Sequence, residues 1–259
     1  MSEAVELRDR LRRYYTAYYR DTLGIPDWAT LVELREAEEE RLETAHLERL
    51  RRRVGAELLR GRILNVGCGT GGFNVLAAGA GARAVGVDDD AEAITICGLK
   101  AHKVGGAFVR AHAEALPFRD GVFDLVHCFS VIEHVASVEA TVAEMVRVTR
   151  AGGAIYVHTP NAWSLWEGHY KMFWPPLLPP PLARLYLRAR GRPTAYLATL
   201  RRLTPGRLRR AFARAGVTEA VLYEDTPARE SVGRLRGPSA LYYRVTGASP
   251  FIELVVRKP

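Results

Sequence analysis

Cysteine is scarce in this chain. There are three among 259 residues (Cys68, Cys97 and Cys128), widely spaced and odd in number. That argues against a disulfide framework or a cysteine zinc site and points to a reducing, cytoplasmic setting. No metal is expected. Long apolar runs are also missing. No stretch approaches the roughly 18 residues that a membrane-spanning helix needs. The opening MSEAVELRDR carries acids where a secretory leader would carry an apolar core, so none is expected there. Acids are absent from 168–218, which holds Lys171 and ten arginines. These cations contribute +11 to a chain of net +8, so the remainder sums to −3. The basic character therefore belongs to one region. It fits a solvated arginine-rich surface or an anionic partner, such as a phosphorylated substrate, a membrane surface or RNA.

The remaining composition, 48% hydrophobic and 25% charged, is that of a globular domain. Leu7, Leu11, Tyr14, Tyr15, Tyr18 and Tyr19 form a stripe at helical spacing over 1–23, and Gly24 and Pro26 end it. Asp27 is placed to cap a second helix over 28–60. Beyond it, short apolar strands at 62–66, 83–88, 107–110, 123–129 and 153–158 alternate with helices at 71–80, 90–103 and 137–150. This is the rhythm of a doubly wound, mostly parallel α/β sheet. Residues 161–203 interrupt it with Trp163, Trp166, Tyr170, Phe173 and Trp174, then PPLLPPP, then an arginine-rich helix. A helix marked by Thr204, Pro205 and Gly216 follows, and strands at 217–224 and 250–257 flank a long polar connection. The expected domains are a helical extension over 1–60 and an α/β domain over 61–259, with a lid-like insert at about 161–203.

The stretch ILNVGCGTGGF, residues 63–73, runs from a strand into a glycine-rich turn. Gly67, Gly69 and Gly72 satisfy G-x-G-x-x-G, a pattern that cradles dinucleotides. Asp88 lies 21 residues after Gly67, at the end of the second strand. Such an acid accepts hydrogen bonds from ribose hydroxyls, and this holds for NAD and for S-adenosylmethionine alike.

Later segments separate the two. AHAEALPFRDGVFDLVHCFSVIEHV (111–135) and RVTRAGGAIYVHTPN (147–161), with VGCGTGG and VGVDDD, resemble in order the motifs of class I S-adenosylmethionine-dependent methyltransferases, closest to the quinone-biosynthesis-like (methyltransferase type 11) branch. The resemblance implies a seven-stranded Rossmann-like sheet whose last strand, FIELVVRK, runs antiparallel. It implies S-adenosyl-L-methionine as cofactor and S-adenosyl-L-homocysteine as product. Gly67, Cys68, Gly69 and Gly71 match the turn under the methionine part. Asp88 matches the ribose acid, with Asp89 beside the adenine edge. His112, Ala113 and Glu114 match the adenine-flanking positions, and Phe129 and Ser130 the strand end beside the sulfonium. His134 stands in the EHV element where an acceptor would enter. Two positions depart from the family pattern: Asn65 replaces an acid, and His112 replaces a frequent Asp, which makes the site less acidic.

Three functions follow from that resemblance. The first is O-methylation of a small molecule (lipid, glycan or secondary metabolite), with His134 or His169 as base. Its acceptor would be anionic or lipid-linked, and the basic segment would allow peripheral membrane contact. The second is an RNA methyltransferase using 168–218, which lacks a recognisable RNA-binding module. The third is a non-catalytic S-adenosylmethionine-binding protein.

Overall fold

The computed structural model describes residues 3–104, 106–223 and 236–259. The chain opens with α1 (Glu3–Thr16), which runs into a wider π-helical turn, Ala17–Thr22. α2 (Trp28–Val54) follows. Asp27 precedes it without a side-chain capping bond, and the helix stops at Val54 rather than near residue 60, because Gly55 turns out at φ +90°. A short helical turn, Leu58–Arg60, leads into the sheet.

The α/β units come next. They are β1 (Arg62–Val66), α3 (Gly72–Gly79), β2 (Arg83–Asp88), α4 (Ala91–Val104), β3 (Ala107–Arg110), β4 (Phe123–Phe129), α5 (Val138–Val148) and β5 (Thr149–Pro160). A two-stranded ribbon, β6 (Trp166–Glu167) with β7 (Met172–Phe173), begins the insert, and α6 (Pro180–Ala189) continues it. The chain closes with α7 (Pro205–Arg214), β8 (Ala220–Tyr223), α8 (Arg236–Thr246) and β9 (Phe251–Arg257). Part of the polar connection expected before β9 lies outside the described residues. The part that is described is α8, a helix.

The main sheet has the order β3-β2-β1-β4-β5-β9-β8. The first five strands pair in parallel, and β9 is antiparallel to both neighbours. β1 and β4 are buried almost end to end, as central strands covered on both faces must be. Local chemistry fixes the helix starts. Ser137 accepts from Ala140 N at 3.2 Å to cap α5, and Thr204 accepts from Arg207 N at 3.3 Å to cap α7.

Three apolar clusters hold the layers. On one face Val138, Val142 and Met145 of α5 meet Leu208 and Phe212 of α7. On the other, Leu50 and Val54 of α2 meet Phe73 and Ala77 of α3. The third cluster joins the N-terminal helices to the insert: Tyr19, Leu23 and Val32 pack with Tyr170, Met172 and Leu187. The extension and the insert thus share one apolar cluster. Arg192 of the insert also donates to the Gly24 carbonyl. Among the described residues, no helix is long and apolar enough to cross a membrane.

Candidate functional site

The parallel strands end on one edge, and the glycine turn lies there between β1 and α3. Gly67 N and Cys68 N both donate to the Val87 carbonyl of β2, at 2.8 and 2.9 Å. Gly67 sits at φ +69°, and a Cβ there would stand 2.1 Å from a Val131 methyl, so only glycine fits. Gly71, also left-handed, starts α3. Gly69 differs from both. A Cβ on it would meet nothing within 4 Å, so its surface faces open space. Its N–H donates to Asp88 Oδ2 at 2.8 Å, and Asp90 N donates to Oδ1 at 3.0 Å. Burial raises the Asp88 carboxyl pKa above its ordinary value, and the two backbone donors oppose that rise. Cys68 is buried, and its thiol is pushed up first by the Cys97 thiol and then by burial.

The other cofactor-side candidates divide by surroundings. Asp89 and His112 are exposed, with a nearest N–O distance of 3.5 Å. Glu114 does not point into open space: its Oε1 accepts from Ala136 N at 2.7 Å and Ser137 N at 3.2 Å, which anchors the approach to α5. Ala113 packs against the core. Phe129 stacks on His158 at 4.3 Å, and Ser130 beyond it adopts φ +55°. Asn65 is buried with both ends engaged. It accepts from His127 Nδ1 at 2.8 Å and donates to Asn74 at 2.7 Å. A carboxylate there could not make the second bond, which accounts for the amide at that position.

The N-terminal tyrosines reach this turn. Tyr15 and Thr70 share a hydrogen bond of 3.0 Å, and Thr70 donates to Glu39 at 3.1 Å. Lys100 holds the same Glu39 at 2.7 Å. The tyrosine stripe was visible in the sequence, but its target was not.

Beyond β4 the two candidate histidines converge. His134 Nε2 and His169 Nε2 are 3.2 Å apart. Tyr196 hydroxyl is 3.4 Å from His134 Nε2 and 3.2 Å from the Tyr18 hydroxyl. His169 Nδ1 lies 2.7 Å from Glu167 Oε1, so Nδ1 keeps its proton and Nε2 is the nitrogen that offers a lone pair when the ring is neutral. Glu133, 2% exposed, accepts from Thr159 at 2.8 Å through Oε2, while its buried Oε1 has no hydrogen-bond partner. Burial pushes the Glu133 carboxyl up to about 7. Burial, then the His169 charge, pushes His134 down to about 4. Burial also disfavours charge on His169, but the Glu167 bond and charge raise it overall. Glu133 and His169 face a cavity of about 120 Å³ whose apolar walls include Trp166, Trp174, Leu197 and Leu203. Sequence reasoning missed Glu133, Glu167 and Tyr196. The Glu of EHV was the one available signal.

Residues 64–157 match the family model described as a methyltransferase domain. An uncharacterized methyltransferase of Mycobacterium leprae (strain Br4923) is 38% identical over 111 residues, 42% of this chain and 40% of that protein. A ubiquinone biosynthesis O-methyltransferase of Aromatoleum aromaticum is 34% identical over 103 residues, 39% of this chain and 44% of that protein. The chain therefore spans less than half the length of these curated relatives. The geranyl diphosphate C-methyltransferase of Streptomyces coelicolor A3(2), solved with Mg2+, geranyl diphosphate and S-adenosyl-L-homocysteine, superposes with a TM-score of 0.57 at 17% identity, over 96% of this chain and 97% of that one. At that identity the likeness shows the fold alone.

Proposed function

We propose, from the match of residues 64–157 to a methyltransferase domain and from the fold, that this chain transfers a methyl group from S-adenosyl-L-methionine to an oxygen of a small-molecule acceptor. One observation carries the reading. The open glycine turn with Asp88 and the Glu133–His134–His169 cluster occupy the same edge of the sheet, at the ends of β1, β2 and β4. Ligands of open α/β sheets gather on this edge.

The residues fit that cofactor. Gly69 faces open space, where a side chain would intrude. Asp88 is prepositioned by two backbone donors and presents a carboxylate to ribose hydroxyls. Phe129 and Ser130 stand at the end of β4, and Asp89 and His112 at the rim. S-adenosylmethionine, when bound, supplies a methyl group on a sulfonium, so the electrophile belongs to the cofactor. The protein has to hold the reactants in line and exclude water. The composite cover of N-terminal helices and insert shields the site. The acceptor occupies the apolar cavity, and the Glu133–His134–His169 cluster at its end lowers the cost of removing the acceptor's proton.

On α6 and at its C-terminal cap, Arg184, Arg188 and Arg190 are exposed beside Leu182 (52% exposed) and Leu185 (63%). This surface suits an anionic, lipid-linked acceptor or a membrane face. Co-sedimentation with anionic but not neutral vesicles would support it, and equal binding to both would refute it.

Calorimetry and methyl-transfer assays test the main reading. S-adenosylmethionine should bind at micromolar affinity and NAD should not. A labelled methyl group should appear on a compound from a lipid and metabolite extract. NAD binding without a response to S-adenosylmethionine would overturn the cofactor assignment. Methylation of RNA alone, or binding without transfer to any acceptor, would overturn the small-molecule reading.

A further inference from the structure

Glu133, His134 and His169 present three donor atoms to one point. His134 Nε2 and His169 Nε2 are 3.2 Å apart, and each lies 3.9 Å from Glu133 Oε1. A triangle with those sides has a circumradius of about 2.1 Å, which matches the roughly 2.0–2.2 Å of zinc–imidazole and zinc–carboxylate bonds. We propose that these three residues form a binding site for a divalent transition-metal ion of the zinc class, at the acceptor end of the cavity. This goes against the absence of metal expected from the sequence. It deepens the methyl-transfer reading and rests on it for its role.

A hydrogen bond between the two imidazoles would account for one edge of the triangle only. It leaves Glu133 Oε1 buried and unpartnered, a cost of about 1–3 kcal/mol for a polar group and more for a charged one. A cation at the common point satisfies all three atoms at once. The supporting residues are arranged as metal ligands require. Glu167 holds His169 Nδ1 at 2.7 Å, so the proton stays on Nδ1 and a cation binding at Nε2 displaces only the Nε2 proton. Thr159 holds Glu133 Oε2 at 2.8 Å, so Oε1 turns inward. Glu167 itself is fixed by the Tyr170 N–H at 2.6 Å.

Two imidazoles and one carboxylate are the donor set of zinc sites that keep a fourth position open. Glu133 and His169 line the cavity, so that position opens toward the acceptor. The Tyr196 hydroxyl, 3.4 Å from His134 Nε2, stands beside it. A cation there would take the acceptor's hydroxyl oxygen as ligand and lower its pKa, as bound metals do for water. The proton would leave to solvent or a neighbouring base, and the freed oxygen would attack the sulfonium methyl as its C–S bond breaks, the electron pair going to sulfur and S-adenosylhomocysteine leaving. His169 comes from the insert, 35 residues after His134, so no motif spacing marks the set in sequence.

The test begins with the full-length protein stripped by a chelator and titrated with Co2+ and then Zn2+. One equivalent of Co2+ should bind and develop the visible absorption of a low-coordinate cobalt site, and Zn2+ should bleach it. His134→Ala and His169→Ala should each abolish the signal. Glu167→Gln should weaken metal binding by about 10- to 100-fold, as loss of a supporting partner does. Calorimetry with S-adenosylmethionine on the same samples reports the fold and the methyltransferase reading separately. Normal S-adenosylmethionine binding without stoichiometric Co2+ or Zn2+, or a cobalt signal that survives both histidine substitutions, would overturn the metal site alone. Stoichiometric metal with no S-adenosylmethionine binding would keep the site and sink its proposed role.

Discussion

His134 and His169 stand with their Nε2 atoms 3.2 Å apart, although one follows β4 and the other belongs to the insert after β5. Two residues that share one task should not contribute independently. His134→Ala and His169→Ala are each expected to lower turnover by about 10²–10⁴-fold, the scale of activating an acceptor proton. The double variant should fall little further. Affinity for S-adenosylmethionine should change little in all three. Steady-state rates beside calorimetric dissociation constants check this. Strictly multiplicative losses, or one silent single variant, would mean that the residues act separately.

Asp88 is held by Gly69 N and Asp90 N before any ligand arrives. Asp88→Ala should weaken S-adenosylmethionine binding by about 10- to 100-fold, since a hydrogen bond involving a charged group is worth about 1.5–3 kcal/mol. Asp88→Asn keeps an acceptor oxygen and should lose less. Calorimetry on variants with unchanged melting temperature is the measurement. An unaltered dissociation constant in the folded Ala variant would remove Asp88 from the cofactor site.

What could be read in advance follows a physical division. The strands β1 to β4 and the glycine turn were legible because periodicity, glycine and short spacing are local signals. β5 ran longer than expected, over Thr149–Pro160, because pairing with β9 and β4 extends it at both ends. Glu114 matches a family position, yet its carboxylate serves the backbone at 136–137. The His134–His169–Glu133 cluster was only half legible. Both histidines stood out, but their meeting depends on how the insert packs on Tyr19, Leu23 and Val32, which no local pattern encodes. The same packing joins the insert to the N-terminal helices in one apolar cluster.

Arg53 of α2 holds Glu253 of β9 through Nε and Nη2, both at 3.1 Å, and Tyr156 donates to the same carboxylate at 2.9 Å. Glu253 is fully buried. Removing one member of a buried pair leaves the other desolvated, at a cost of about 3–5 kcal/mol. Glu253→Ala should therefore lower the unfolding free energy by that amount. Truncation to residues 61–259 should be at least as damaging, because it removes Arg53 and the Leu50–Val54 packing together. Denaturant melts decide the matter. A truncated chain that unfolds cooperatively at the same midpoint would show that the helical extension is an independent unit.

His158 sets an acid limit on the fold. It is 3% exposed and stacks between Phe129 at 4.3 Å and Phe251 at 4.8 Å, and neither ring nitrogen has a hydrogen-bond partner. Burial, followed by the charges of His46 and Arg49, lowers its pKa from the ordinary 6.5 to about 3. The unfolded chain therefore binds a proton below about pH 6.5 that the folded chain refuses until about pH 3. Unfolding takes up that proton, so stability is fully present above 6.5 and falls as pH drops through this window. Each pH unit in the window costs about 1.4 kcal/mol for one such group. His158→Phe keeps the stack, removes two unpartnered nitrogens and abolishes the proton uptake. It should stabilise the protein at pH 8 modestly and at pH 5 by about 2 kcal/mol more. Urea unfolding of both proteins at the two pH values measures the difference. An equal effect at pH 5 and pH 8 would mean that His158 is not the group that loses stability in acid.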